Sequence, residues 1–191
     1  MKNVNTDEKI SERLIVAGIK EIEEHGLNDF SLRRVASACE VSCAAPYRHY
    51  KNKDELVLEI IAYINSRWDM MREAVEKAFE GDTEKQLTEV CAAIVRFLIA
   101  NPNYISVMMS SGSGMTDMQQ LERKKLWSGV FALVNKCAQE KGLGDAERER
   151  ICFLVETLVY GTVFALEDCD ADECDKKIVF MRKDLERIIR E

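Results

Sequence analysis

Hydrophobic residues recur along this chain at the three- and four-residue spacing of α-helices, and no segment alternates as a β-strand does. The first helical stretch ends at Gly26, and Ser31 can cap a short second helix. A third short helix is predicted near residues 43–50, and Asn52 can cap a long fourth one. Further helical segments are predicted over residues 83–101, 104–109, 118–141, 145–167 and 178–189. The pattern therefore predicts an all-α fold of about nine helices.

The composition indicates the class of protein to which this all-α chain belongs. With 47% hydrophobic and 32% charged residues in 191, the chain is typical of soluble globular proteins. No apolar run reaches the roughly 18 residues that would indicate a membrane span, and residues 1–12 lack the apolar stretch of a secretory signal. We therefore expect a cytoplasmic protein without a membrane partner.

Charge is distributed unevenly along the chain. The net charge is −7, but residues 29–53 hold five basic and two acidic side chains, whereas residues 54–191 hold 18 basic and 26 acidic ones. A basic segment in an otherwise acidic protein suggests a local anionic partner, while the acidic remainder repels nonspecific polyanions.

The basic segment has the dimensions of a helix-turn-helix, in which the second of two short helices enters the major groove of DNA. Because proline is tolerated only near a first helical turn, Pro46 predicts that the third helix begins at about Ser42 or Cys43. Small side chains such as Ala44 would let the backbone approach the bases. Tyr50 is interpreted as a core residue.

The run SLRRVASACEVSCAAPYRHYKNKDELV resembles the DNA-binding region of the tetracycline-repressor (TetR) family of bacterial transcription regulators, over about residues 8–58. Two positions depart from the family pattern, since Glu40 stands where the turn usually has glycine and Tyr50 stands where phenylalanine is usual. The resemblance implies that DNA is contacted by Ser31, Arg33, Ser42, Cys43, Ala44, Tyr47, His49 and Lys53.

The resemblance also implies two functional domains. Residues 1–52 would form the DNA-binding domain, and residues 53–191 would bind an effector and dimerise. The protein would be a repressor that a small hydrophobic effector releases from double-stranded operator DNA, through a tilt of the fourth helix. The large or adaptable side chains expected to line the effector pocket are Tyr63, Arg67, Phe97, Tyr104, Met108, Met109, Trp127, Phe131 and Tyr160.

A homodimer is expected on independent grounds as well. The predicted helix at 146–167 is apolar over a broad face, and its small residues would permit close approach of another helix. Together with the last helix it could form a four-helix bundle across a two-fold axis. The expected interface residues are Leu154, Leu158, Gly161, Ala165, Met181, Leu185 and Ile188.

Two alternatives start from the seven cysteines, whose odd number and irregular spacing do not fit a disulfide framework. One is redox or metal sensing by the same DNA-binding dimer, through the pair Cys39 and Cys43 or the pair Cys169 and Cys174. Cys39 is expected to pack inward as a hydrophobic residue, and Cys169 and Cys174 lack the close spacing and the histidine partners of a zinc site, so neither a metal nor a cofactor is expected. The other is an enzyme with a cysteine nucleophile, but no oxyanion-hole turn accompanies either histidine of the chain, and we expect no enzymatic activity.

Overall fold

The computed structural model describes residues 4–109, 113–166 and 169–190, with side chains from residue 9 onward. All regular structure in these ranges is helical, which confirms the predicted all-α class. The described helices are α1 (Val4–His25), α2 (Leu32–Ala38), α3 (Pro46–His49), α4 (Lys53–Ala78), α5 (Thr83–Ile99), α6 (Pro102–Met108), α7 (Asp117–Lys124), α8 (Ser128–Lys141), α9 (Asp145–Ala165) and α10 (Ala171–Arg190).

The segment predicted as one helix over residues 118–141 is two helices. A 3₁₀ turn, Lys125–Trp127, separates α7 from α8. Inside this turn the main-chain carbonyl of Leu126 accepts a hydrogen bond from the buried Trp68 indole, at 3.1 Å. The break thus coincides with a contact between residues 58 positions apart, which local periodicity does not reveal.

Several helix ends follow the capping residues of the sequence. The Ser31 hydroxyl accepts a hydrogen bond from the amide of Arg34 at the start of α2. Asn52 accepts one from the amide of Glu55 at 2.9 Å, as predicted for the start of α4. Gly142 ends α8 in the left-handed conformation, with φ 66°, where glycine carries no steric penalty.

The chain packs into two units, of which the first comprises residues 1–66 and 102–125. Its core includes the fully buried side chains of Leu14, Val35, Leu56 and Ile60. A Cβ atom on Gly18 would lie 2.6 Å from Cδ1 of Ile60, so glycine at this position permits close contact between α1 and α4.

The second unit comprises residues 67–101 and 126–191. Here α5 packs against α8, α9 and α10, and 11 of its 17 residues are buried. The rings of Trp68 and Phe97 lie 5.6 Å apart in this core. These two units reflect how the chain packs, whereas the boundary predicted after residue 52 separates a DNA-binding domain from an effector-binding domain.

Within the described residues, no single helix has the length and apolar character needed to cross a bilayer. The pair α5 and α6 meets those criteria only when both helices are taken together.

Candidate functional site

The turn between α2 and α3 is a Schellman motif with an acidic residue at its left-handed position. The amide of Val41 donates to the carbonyl of Ala36 at 3.1 Å, and the amide of Glu40 donates to the carbonyl of Ser37 at 3.0 Å. Glu40 has φ 54°, a positive value shared by no other non-glycine residue in the described ranges. The turn therefore has the left-handed backbone conformation that favours glycine, although Glu40 occupies the position.

The third helix begins later than predicted, at Pro46 and not at Ser42 or Cys43. Pro46 has no amide hydrogen to donate to the carbonyl of Ser42, as a helical pattern would require. That carbonyl instead accepts the amide of Ala45 at 2.8 Å, closing a turn ahead of the helix. Pro46 itself is buried at the first helical position, in agreement with the sequence-based interpretation.

The eight residues expected to contact DNA all lie in the first unit. Tyr47 is 60% exposed, and His49 and Ser31 are half-buried. The remaining five, Arg33, Ser42, Cys43, Ala44 and Lys53, are exposed. Five of the eight, Ser42, Cys43, Ala44, Tyr47 and His49, lie close together in the chain on either side of the buried Pro46, whereas Arg33 lies on α2 and Lys53 begins α4. Ser31 has a structural role as well, since its hydroxyl caps α2.

Two contacts fix this segment on α1. Tyr50 is 5% exposed, and its hydroxyl lies 2.7 Å from that of Ser11, so the oxygen that distinguishes tyrosine from phenylalanine makes a contact with α1. Arg13 donates to the carbonyl of Cys39 at the end of α2. Burial raises the pKa of both Tyr50 and Cys39, which keeps the two side chains protonated at neutral pH.

A buried acid that sequence reasoning missed joins α1 to the start of α2. Glu21 is 6% exposed, and it accepts hydrogen bonds from Nε of Arg34 at 2.7 Å and from the amide of Ser31 at 3.1 Å. The hydrogen bond to Glu21 raises the pKa of Arg34. The sequence does contain a signal, because Glu21 lies three residues after Gly18, inside the inward stripe of α1.

The residues expected to form an effector pocket are divided between the two units. Four of them, Tyr63, Tyr104, Met108 and Met109, belong to the first unit, and Arg67, Phe97, Trp127, Phe131 and Tyr160 belong to the second. The structure brings three of the latter together. The ring of Trp127 lies 5.9 Å from Phe131 and 5.0 Å from Tyr160, and its indole donates to the Tyr160 hydroxyl at 3.0 Å.

A groove of about 430 Å³ separates the outer edges of α9 and α10. It is lined by six of the seven expected interface residues, namely Leu154, Leu158, Gly161, Ala165, Met181 and Ile188. Leu185 is instead fully buried in the core of its own unit. Sequence reasoning missed Phe153, Phe164 and Phe180, which are 67%, 57% and 62% exposed on the same two helices.

The cysteines occupy different environments. Cys91 and Cys137 are buried, and burial raises the pKa of Cys137 to about 11. Cys169 lies 3.0 Å from the ammonium of Lys177, and Cys43 is exposed. The described part of the chain contains no group of three or more His, Cys, Asp or Glu side chains arranged to hold a metal ion.

Comparison with known proteins identifies both the segment and the fold. Residues 14–60 match the family model described as bacterial regulatory proteins, tetR family. No curated protein matches the chain. Similar solved structures include a Clostridium perfringens putative fatty acid metabolism regulator, with a TM-score of 0.76 and 16% identity over 92% of this chain and 97% of that one.

Two further structures have the same fold. The TetR family transcriptional regulator PfmR from Thermus thermophilus has a TM-score of 0.69 and 18% identity, over 93% of this chain and 97% of that one. The transcriptional regulator FadR from Bacillus subtilis, in complex with stearoyl-CoA, has a TM-score of 0.66 and 13% identity, over 93% and 96%. Residues 14–60 therefore match the tetR family of bacterial regulatory proteins, and the described fold is shared with TetR family regulators of known structure.

Proposed function

We propose that this regulator is a homodimeric repressor that binds double-stranded operator DNA and is released by a small hydrophobic effector. The observation that carries the proposal is the set of exposed side chains at Ser42, Cys43, Ala44 and Tyr47, which lie between the Schellman turn and the buried Tyr50. Operator binding would place its action in the cytoplasm, and the family assignment supports a non-enzymatic role.

The proposed DNA contacts follow from exposure and chemistry. Tyr47 offers an exposed hydroxyl, and His49 is half-exposed one position beyond Arg48, so both can donate hydrogen bonds to phosphates flanking the groove. Arg33 and Lys53 supply charge on either side of the segment. The small exposed side chains of residues 42–44 would approach the base edges, where the methyl group of Ala44 could meet a thymine methyl.

Dimerisation is proposed through the outer faces of α9 and α10. Three phenylalanines on these two helices are more than half exposed, and one of them, Phe180, lines the apolar groove. Large exposed apolar side chains in this number are typical of protein–protein contact surfaces. A two-fold axis through this surface would bring the same patch of each copy together. Two recognition segments could then read half-sites about one helical turn apart.

The effector is proposed to act on the second unit, where Trp127, Phe131 and Tyr160 form an aromatic cluster. Helix α4 is continuous, with residues 53–66 in the first unit and 67–78 in the second, which supports it as the transmitting element. An effector of this kind releases DNA only to the extent that it binds the two conformations with different affinity.

The DNA-binding proposal is tested by a gel shift on DNA from upstream of the protein's own gene. We expect a shift that weakens steeply with salt, and a weaker shift for Lys53→Ala. The matched control is Lys136→Ala, which removes the same charge from an exposed position on α8. A folded dimer that gives no shift at low salt, or equal losses for both variants, would contradict the proposed interface.

A further inference from the structure

The side-chain amide of Gln119 joins the start of α7 to the start of α4. Gln119 is 2% exposed, and its Oε1 accepts a hydrogen bond from the amide of Thr116 at 2.8 Å. The Thr116 hydroxyl in turn accepts one from the amide of Gln119 at 3.3 Å, which completes a capping box. The Nε2 group of the same side chain donates to the main-chain carbonyl of Asp54 at 2.8 Å. One buried side chain therefore caps α7 and bonds a residue 65 positions away.

The bond to Asp54 accounts for glutamine at this position. A capping box also closes with glutamate, whose charge would interact favourably with the N-terminal end of the α7 dipole. A carboxylate, however, has no hydrogen to donate to the Asp54 carbonyl. Glutamine thus satisfies both α7 and α4, whereas glutamate would keep the capping box and lose the bond to α4.

The bonded carbonyl lies beside a proposed DNA contact. Asp54 follows Lys53, which is the first residue of α4 and one of the two cations proposed to flank residues 42–49. The amides of a first helical turn have no partner inside their helix, so the turn depends on groups outside it. Asn52 accepts the amide of Glu55 at 2.9 Å in this turn, and Gln119 adds an attachment from a different helix.

A second contact links the same part of the chain to the loop before α2. Gly114 has φ 85°, a left-handed conformation that favours glycine. A Cβ atom at this position would lie 2.1 Å from Oδ1 of Asn28, so the Gly114 backbone lies against that side chain. Asn28 belongs to the loop that leads into α2, the helix of Arg33. Residues 114–119 therefore contact both parts of the chain that carry the proposed flanking cations.

We propose that Gln119 is a positioning residue for operator binding, because its bond to Asp54 fixes the first turn of α4 and thereby places the ammonium of Lys53 at a phosphate. The inference rests on the proposed function and adds to it a residue that does not itself touch DNA. A lysine side chain is long and flexible, so its contribution to binding depends on how firmly its backbone is held. Without the bond, ordering the first turn of α4 becomes a cost of binding DNA.

The test compares Gln119→Glu with Gln120→Glu in gel shifts on the upstream DNA, over a series of salt concentrations. Both variants add one negative charge to α7, but Gln120 donates to the carbonyl of Met115, beside its own helix. Gln119→Glu should weaken binding about tenfold and reduce the salt dependence by about one phosphate contact in each half-site. Gln120→Glu should stay within about twofold of the wild type, and equal losses for the two variants would overturn the proposal.

Lys53→Ala in two backgrounds separates positioning from stability. In the wild type this change should weaken binding about fivefold. In Gln119→Glu it should weaken binding by less than about twofold more, because the lysine is already misplaced. Equal losses in both backgrounds would show that Gln119 only stabilises the fold, and would overturn the proposal. If Gln119→Glu does not fold, the same results are expected of Gln119→Met, which has a similar length and no donor.

Amide hydrogen exchange of the free protein distinguishes failure of this inference from failure of the proposed function. The amides of residues 56–58 should exchange about tenfold faster in Gln119→Glu than in the wild type, since the first turns of α4 then open more readily. Unchanged exchange would overturn the inference and leave the repressor proposal intact, as would additive losses for Lys53→Ala. If folded wild-type dimer binds no upstream DNA, the proposed function fails and the positioning role fails with it.

Discussion

Replacing Glu40 by glycine should stabilise this protein, although it removes a side chain. Glu40 holds the left-handed position of the Schellman turn with φ 54°. A non-glycine residue in this conformation costs about 1–2 kcal/mol, because its Cβ crowds the following carbonyl oxygen. Glycine removes that cost, but it increases the conformational entropy of the unfolded chain, which is worth roughly 0.5–1 kcal/mol in the opposite direction.

The expected net gain in unfolding free energy is therefore about 0.5–1 kcal/mol. For a chain of this length that corresponds to an increase in unfolding temperature of about 1–4 °C. The assay is reversible urea unfolding followed by circular dichroism, at one protein concentration so that any dimer contributes equally.

The control Glu40→Gln separates backbone strain from charge. Glutamine keeps the Cβ and hence the strain, so its stability should stay within about 0.3 kcal/mol of the wild type. If Glu40→Gln stabilises as much as Glu40→Gly, the cause is electrostatic and the strain argument is refuted. Both variants should raise operator affinity at low salt, because each removes a negative charge from the turn that precedes the proposed recognition segment.

Four further predictions concern single side chains. Tyr47→Phe should weaken operator binding about fivefold and leave the unfolding free energy unchanged. Tyr50→Phe should lower the unfolding free energy by about 1 kcal/mol, because the contact of its hydroxyl group is lost. The reverse pattern would show that the roles of the two tyrosines are exchanged. Glu21→Ala should destabilise by about 1–2 kcal/mol in urea unfolding, because two hydrogen-bond donors lose a buried acceptor, and no change would show that this pairing is incidental. Phe164→Glu should convert dimer to monomer in analytical ultracentrifugation, and an unchanged dimer would exclude this face as the interface. Because burial raises the folded-state pKa of Glu156, wild-type stability should fall relative to Glu156→Gln as the pH rises above about 4.5, the unfolded value; parallel pH profiles from thermal unfolding would contradict this.

The parts of the fold that were predictable are those that depend on neighbouring residues. Capping by Ser31 and Asn52 and the position of Pro46 in a first turn each follow from chemistry within a few residues. The left-handed backbone at Glu40 was indicated only by the resemblance to a family that has glycine at this position. The all-α class follows from periodicity in the same way. Burial of Tyr50 was predictable because the apolar stripe continues to Leu56.

The start of α3 and the break between α7 and α8 could not be predicted from neighbouring residues alone. Pro46 indicated a first turn, but only the hydrogen bond that Ser42 accepts shows that this turn precedes the helix. The break contains Leu126, whose carbonyl is bonded by an indole far away in sequence. Exposed phenylalanines were missed for a related reason, because an apolar residue on a helix gives no sign of whether its own chain covers it.

Glu21, Glu40 and Glu156 are each unfavourable at their positions, and they differ in whether other groups of the protein compensate for that cost. Glu21 is buried in an apolar stripe but accepts two hydrogen bonds, so its function is structural and its loss should cost stability. Glu40 and Glu156 have no such compensation among the described residues: one strains its backbone, and the other is partly desolvated without a counter-charge. Residues that break local rules without compensation are expected at functional sites. Neutralising either should therefore stabilise the protein or leave its stability unchanged, and neutralising Glu40 should also raise operator affinity. If Glu40→Gln leaves operator affinity unaltered, Glu40 is a tolerated defect, and the inference from an uncompensated residue to function fails for this turn.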